Sequence, residues 1–134
     1  MMLMTHTVVT STPSDTPTPI GPYSHIARVG PWISISGTAG IDPATGELAG
    51  PGVAAQTRRI LESFGVMLES AGSNLQHVIH INVFLLDMAD FAEMNRAYAE
   101  AMSQHRPART VVGVAALPKP GARLTMNLTA VAVT

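Results

Sequence analysis

The chain has 134 residues, 46% hydrophobic and only 13% charged, with a formal net charge of −1. That is one domain's worth of sequence, long enough to bury roughly 65–70% of its unfolded surface, and too apolar for a disordered or low-complexity protein. Eight Lys and Arg with no basic cluster longer than Arg58-Arg59 argue against nucleic-acid binding, and the absence of cysteine removes disulfides, thiolate catalysis and Cys-ligated zinc. Low charge also implies a buried subunit interface, because so small a domain would otherwise expose too much apolar surface.

Five histidines (His6, His25, His77, His80, His105) show no ligand spacing, so no metal site is expected. No apolar run approaches the ~18 residues of a membrane span. Met1 to Thr10 holds no Lys or Arg for a signal peptide, which points to the cytoplasm.

Residues 1–22 are rich in Thr and Pro and read as extended, with a short strand at Thr7–Thr10; the organisation expected is an arm over 1–18 and one domain over 19–134. Trp32 to Ser36 alternates as a strand with Ile33 and Ile35 on one face, broken at Gly37. Asp42-Pro43-Ala44-Thr45-Gly46-Glu47-Leu48 is a turn. The spacing of Val53, Ile60, Phe64, Met67, Leu68 and Ala71 predicts a helix over Val53–Ala71, stopped by Gly72. Val78 to Leu86 is apolar at both parities and reads as a central strand buried on both sides. Asp87 is placed as N-cap of a helix over Ala89–Met102, with Phe91, Met94, Tyr98 and Ala101 as its stripe. Arg109–Ala115 and Arg123–Val133 read as strands around a turn at Pro118–Gly121. In the last strand Leu124, Met126, Leu128, Ala130 and Ala132 share one face, and Arg123, Thr125, Asn127 and Thr129 the other. The fold class is α+β: a mixed sheet with two helices packed on one face.

All nine Asp and Glu lie at or before Glu100, whereas Arg106, Arg109, Lys119 and Arg123 follow it. Either this is a solvated rim, or one of these arginines is left for an anionic ligand.

Four stretches in order carry a family resemblance: Ile20-Gly21-Pro22-Tyr23-Ser24-His25; Ser36-Gly37 with Ile41-Asp42-Pro43-Ala44-Thr45-Gly46; Asp87 to Asn95 with Tyr98; and Pro107-Ala108-Arg109-Thr110 with Ala115-Ala116-Leu117-Pro118. From about residue 19 to 132 the chain resembles the RidA/YjgF family of imine/enamine deaminases, whose members are often named endoribonuclease L-PSP. The resemblance implies a chorismate-mutase-like fold, a homotrimer with a barrel-like centre and ligand clefts between subunits. It implies hydrolysis of 2-iminoacids to 2-ketoacids and ammonia, with no metal or organic cofactor. Its partners would be a small carboxylate or imino acid and two further copies of the chain, with neither nucleic acid nor membrane. The endoribonuclease activity ascribed to some relatives finds no basic stripe and no His/Lys/acid constellation here.

By the same resemblance Arg109 is the carboxylate clamp, Tyr23 the cleft tyrosine, Ser36 and Gly37 the pocket lining, and Phe91 and Asn95 cleft residues one helical turn apart. Phe91 reads equally as core. Where active members carry a Glu-hydrophobic-Glu near the end of the last strand, this chain has Asn127-Leu128-Thr129. An amide can hydrogen-bond a water but cannot accept its proton. The position two after the arginine, small and polar or thiol in the family, is Val111. Two functions stay open: an imine deaminase slowed by Asn127, with Arg109, Tyr23 and Asn127 as its catalytic residues, or a carboxylate-binding or regulatory protein without turnover.

Overall fold

The computed structural model describes residues 6–133, so Met1–Thr5, the start of the expected arm and of the segment read as lacking a signal peptide, and Thr134 lie outside it. Six strands, β1 (Val9–Ser11), β2 (Ile26–Val29), β3 (Trp32–Ala39), β4 (Val78–Leu85), β5 (Ala108–Gly113) and β6 (Leu124–Val131), form one sheet in the order β1-β2-β3-β6-β4-β5. Two helices, α1 (Val53–Ser70) and α2 (Phe91–Met102), join β3 to β4 and β4 to β5. Only the β4–β5 pair is parallel among neighbours, so the sheet is mixed. The strand expected at Thr7–Thr10 forms two residues later and pairs with β2.

Both helices pack on one sheet face. There Ile33 and Ile35 of β3, Ile81, Val83 and Leu85 of β4, and Leu124, Met126 and Leu128 of β6 meet Ile60, Phe64, Met67 and Leu68 of α1 and Met94 and Met102 of α2. The strict alternation of β6 is the period-2 signature of a strand with one covered face. β4 departs from expectation: it is not buried on both sides. His80, Asn82 and Phe84 lie on the sheet's other face, which no element among the described residues covers, and Ile79 is exposed. A run of β-branched and apolar residues at both parities looks the same in sequence whether its second face is covered by the same chain or left open.

The expected helix over Ala89–Met102 also starts later. Asp87 Oδ1 accepts from Ala89 N at 2.9 Å, but the turn it caps is a 3₁₀ turn over Met88–Asp90, and α2 begins at Phe91. The Asp42–Leu48 turn forms as read, with Asp42 Oδ1 accepting from Ala44 N and Gly46 at φ +75°. Gly72, at φ +77°, follows the end of α1.

The chain just past β3 comes close to α1 at Gly40, where a Cβ would stand 2.6 Å from the Gln56 carbonyl oxygen and 2.7 Å from its Cα. Gln56 is fully buried and ties three segments: its Nε2 donates to Gly50 O (2.8 Å) and Gly121 O (3.2 Å), and its Oε1 accepts from Arg123 N (2.8 Å). A methyl group at Gly40 would press on helix backbone that cannot yield without breaking this knot. Gly40→Ala is therefore expected to lower stability by roughly 1–3 kcal/mol, read as an earlier urea midpoint with unchanged slope.

Candidate functional site

The expected site residues other than Asn127 fall into two groups. The first lines a groove of about 410 Å³ at the β3 side of the sheet, with Tyr23, His25, Ser36, Gly37, Lys119 and Thr125 among its walls. The pairing Ile35↔Leu128 followed by Thr38↔Met126 leaves one extra residue in β3, a bulge that places Ser36 and Gly37 at the groove. Ser36 Oγ donates to Ser24 O (2.5 Å) and Ser36 N to His25 O (2.9 Å), which fixes the Pro-rich segment carrying Tyr23 against the bulge. The buried His25 ring packs edge-on to Tyr23, centroids 6.1 Å apart, and its Nε2 donates to Pro17 O.

The second group sits at the β5 edge, on the helix face. In the parallel β4–β5 register Arg109 stands beside Ile81, whose side chain enters the core. The Arg109 guanidinium carbon lies over the Tyr98 ring, 4.8 Å from its centroid, and 6.0 Å from that of Phe91. No carboxylate among the described residues pairs with it. The contrast with Arg123 is plain: its Nε and Nη2 donate to Asp90 Oδ2 at 3.0 and 2.6 Å, a pair that raises the Arg123 pKa further. Of the arginines after Glu100, Arg109 is thus the partly buried one without an acid. Asn95, on the same stripe of α2 as Phe91 and Tyr98, has a buried Oδ1 with no hydrogen-bond partner among the described residues, and the buried Tyr98 hydroxyl has none there either. Burial pushes the Tyr98 phenol above its ordinary value, while Arg109 and then Arg106 pull it down. Val111 lies two positions on from Arg109 and packs against the core.

Asn127 belongs to neither group. It faces Asn82 across β6 and β4 on the open face of the sheet, and its Oδ1 accepts from Asn82 Nδ2 at 2.8 Å. One arm of the amide is therefore spent inside the protein. β3 and β5 are three strand positions apart, about 14 Å at the usual spacing. Arg109 and Asn127 point to opposite faces. One small ligand cannot touch Arg109 and the Ser36-Gly37 bulge of the same chain at once.

Each ring of His77, His80 and His105 is held by a local partner: Asn74 Oδ1 at 2.7 Å, Thr110 Oγ1 at 3.0 Å and Val78 O at 2.9 Å. Among the described residues no three His, Asp or Glu gather as a cation would require. Sequence reasoning placed Tyr98 in a core stripe and left His25 without chemistry. The signal for Tyr98 was its position, seven residues after Phe91 and three after Asn95 on one helical face.

A sequence model of the endoribonuclease L-PSP family matches residues 13–132. A RutC family protein of Pyrococcus horikoshii is 47% identical over 103 residues, 77% of this chain and 82% of that one. The 2-iminobutanoate/2-iminopropanoate deaminase of Bos taurus is 41% identical over 105 residues, 78% of this chain and 77% of that one. The crystal structure of RidA from an Antarctic Psychrobacter superposes with a TM-score of 0.87 at 36% identity, covering 92% of this chain and 98% of that one. Motifs, fold and these relatives agree: the chain belongs to the endoribonuclease L-PSP family, the RidA/YjgF proteins.

Proposed function

We propose that the protein hydrolyses reactive 2-imino and 2-enamino acids to 2-ketoacids and ammonia, at clefts formed where one copy's β5 edge meets the groove of the next in a homotrimer. The observation that carries this reading is Arg109, partly buried on an aromatic face and without a carboxylate partner among the described residues. A guanidinium so placed offers a bidentate fork to a substrate carboxylate. Two copies account for the division of the site, since the groove of one can approach Arg109 of another while the two are about 14 Å apart in one chain. The uncovered sheet face fits the low charge of the chain as the surface that the assembly buries.

In this cleft the carboxylate sits on Arg109, the Tyr23 hydroxyl closes over the ligand, and backbone groups at Ser36 and Gly37 hold its far end. Water adds to the iminium carbon, and the tetrahedral carbon expels ammonia as the carbonyl forms. Asn127, two residues along β6 from the groove-lining Thr125 and on the same face, orients that water with the part of its amide that Asn82 leaves open. The reaction as written needs no metal or organic cofactor. No helix among the described residues is long and apolar enough to cross a membrane, and the proposed compartment is the cytoplasm.

A second reading is favoured by the Asn82–Asn127 pair: a protein that binds small carboxylates at the same cleft without turning over an imine. A threonine dehydratase generating 2-iminobutanoate separates the two. Added protein should speed ketoacid formation over the spontaneous rate; pyruvate binding with no acceleration would establish the second reading.

A further inference from the structure

Arginines that lose hydration are ordinarily compensated by a carboxylate, as Asp90 compensates Arg123. Such a partner at Arg109 would occupy the donors that an anionic ligand needs. An aromatic face offers another solution, because it attracts the cation through the ring quadrupole and leaves the in-plane N–H groups free. Tyr98 is that face: the residue is 5% exposed and belongs to the core cluster, and the guanidinium carbon stands 4.8 Å from its ring centroid. Phe91 is farther, at 6.0 Å, and exposed. The Tyr98 hydroxyl has no hydrogen-bond partner among the described residues, so the ring makes the contact and the oxygen does not.

We infer that Tyr98 is the positioning residue of the anion site, its ring holding Arg109 in place with all its hydrogen-bond donors available. This rests on the reading of Arg109 as the carboxylate clamp. The ring is fixed by α2 packing, so the clamp is set before any ligand arrives and little side-chain entropy is lost on binding.

The test compares Tyr98→Phe and Tyr98→Leu in the full-length protein by pyruvate calorimetry and by the NMR signal of the Arg109 Nε–H group, which a ring beneath it displaces. Tyr98→Phe should bind pyruvate within about twofold of wild type and keep the displaced signal. Tyr98→Leu should bind about tenfold more weakly and lose it. Equal affinity in Tyr98→Leu, or an equal loss in Tyr98→Phe, would overturn the inference. A loss of affinity in Tyr98→Leu with the Arg109 signal unmoved would also overturn it, because general loosening of the core would then be the cause. If wild type takes up no pyruvate, the functional reading fails, and the Arg109 signal alone decides whether Tyr98 positions it.

Discussion

Arg109→Ala is expected to weaken pyruvate binding by on the order of 10²-fold or more, with the fold intact. The side chain reaches the helix face at an edge strand and makes no ion pair among the described residues, so its removal breaks no structural pair. What is lost is a charge-assisted pair of hydrogen bonds in a partly desolvated site, a few kcal/mol in all. Arg109→Lys should recover only part of the loss, because an ammonium lacks the planar fork and its five donors. Calorimetry on the three proteins reads this directly. Equal affinity in wild type and Arg109→Ala would mean that the anion, if bound, is held elsewhere.

Asn127→Glu should speed dehydratase-coupled ketoacid formation by up to roughly 10²-fold. The new carboxylate would stand opposite Asn82 in register, and Asn82 Nδ2, which now donates to Asn127, would donate to it instead. That hydrogen bond favours the ionised form and so keeps the group ready to take a proton from water. Asn127→Gln is the control. It keeps an amide, lengthens the side chain by one methylene and should bring no gain. A variant that folds and binds pyruvate, yet turns over no faster, would show that proton acceptance does not limit the rate. Should neither protein exceed the spontaneous reaction, the carboxylate-binding reading stands, and Val111 is the next departure to replace.

Much of the fold was legible in the sequence, where local chemistry decides local geometry. Alternation in β6, the helical spacing of α1 and the Asp42–Gly46 turn each depend on residues close in the chain, and each forms as read. What escaped depends on neighbours remote in sequence. The open face of β4 follows from the lack of a second layer, and the delayed start of α2 from a cap that serves a 3₁₀ turn as readily as an α-helix. The burial of Gln56 follows from two connections, at Gly50 and at Gly121–Arg123, converging on one amide. At the candidate site, motif resemblance named Arg109, Tyr23, Ser36 and Asn127. Their division between the β3 groove and the β5 edge, and between two faces, could not be read, since spacing along a chain does not encode strand order.

The bulge at Ser36-Gly37 sets limits on how this chain can vary. Ahead of it, odd-numbered residues of β3 point to the core; behind it, the phase is reversed and Thr38 is the buried one. A one-residue deletion there would restore regular alternation with Thr38 still opposite Met126, but it would remove the bulge that presents Ser36 and Gly37 to the groove; a one-residue insertion would carry every later residue to the opposite face unless the bulge grew to take it up. Ahead of the bulge β3 is paired on both sides, to β2 over Trp32–Ile35 and to β6, so that half of the strand cannot slide to absorb a change. Length variation across descendants of this sequence is therefore expected in the Pro43–Gly52 and Ser103–Pro107 connections, while the count of residues between Trp32 and Gly40 stays constant.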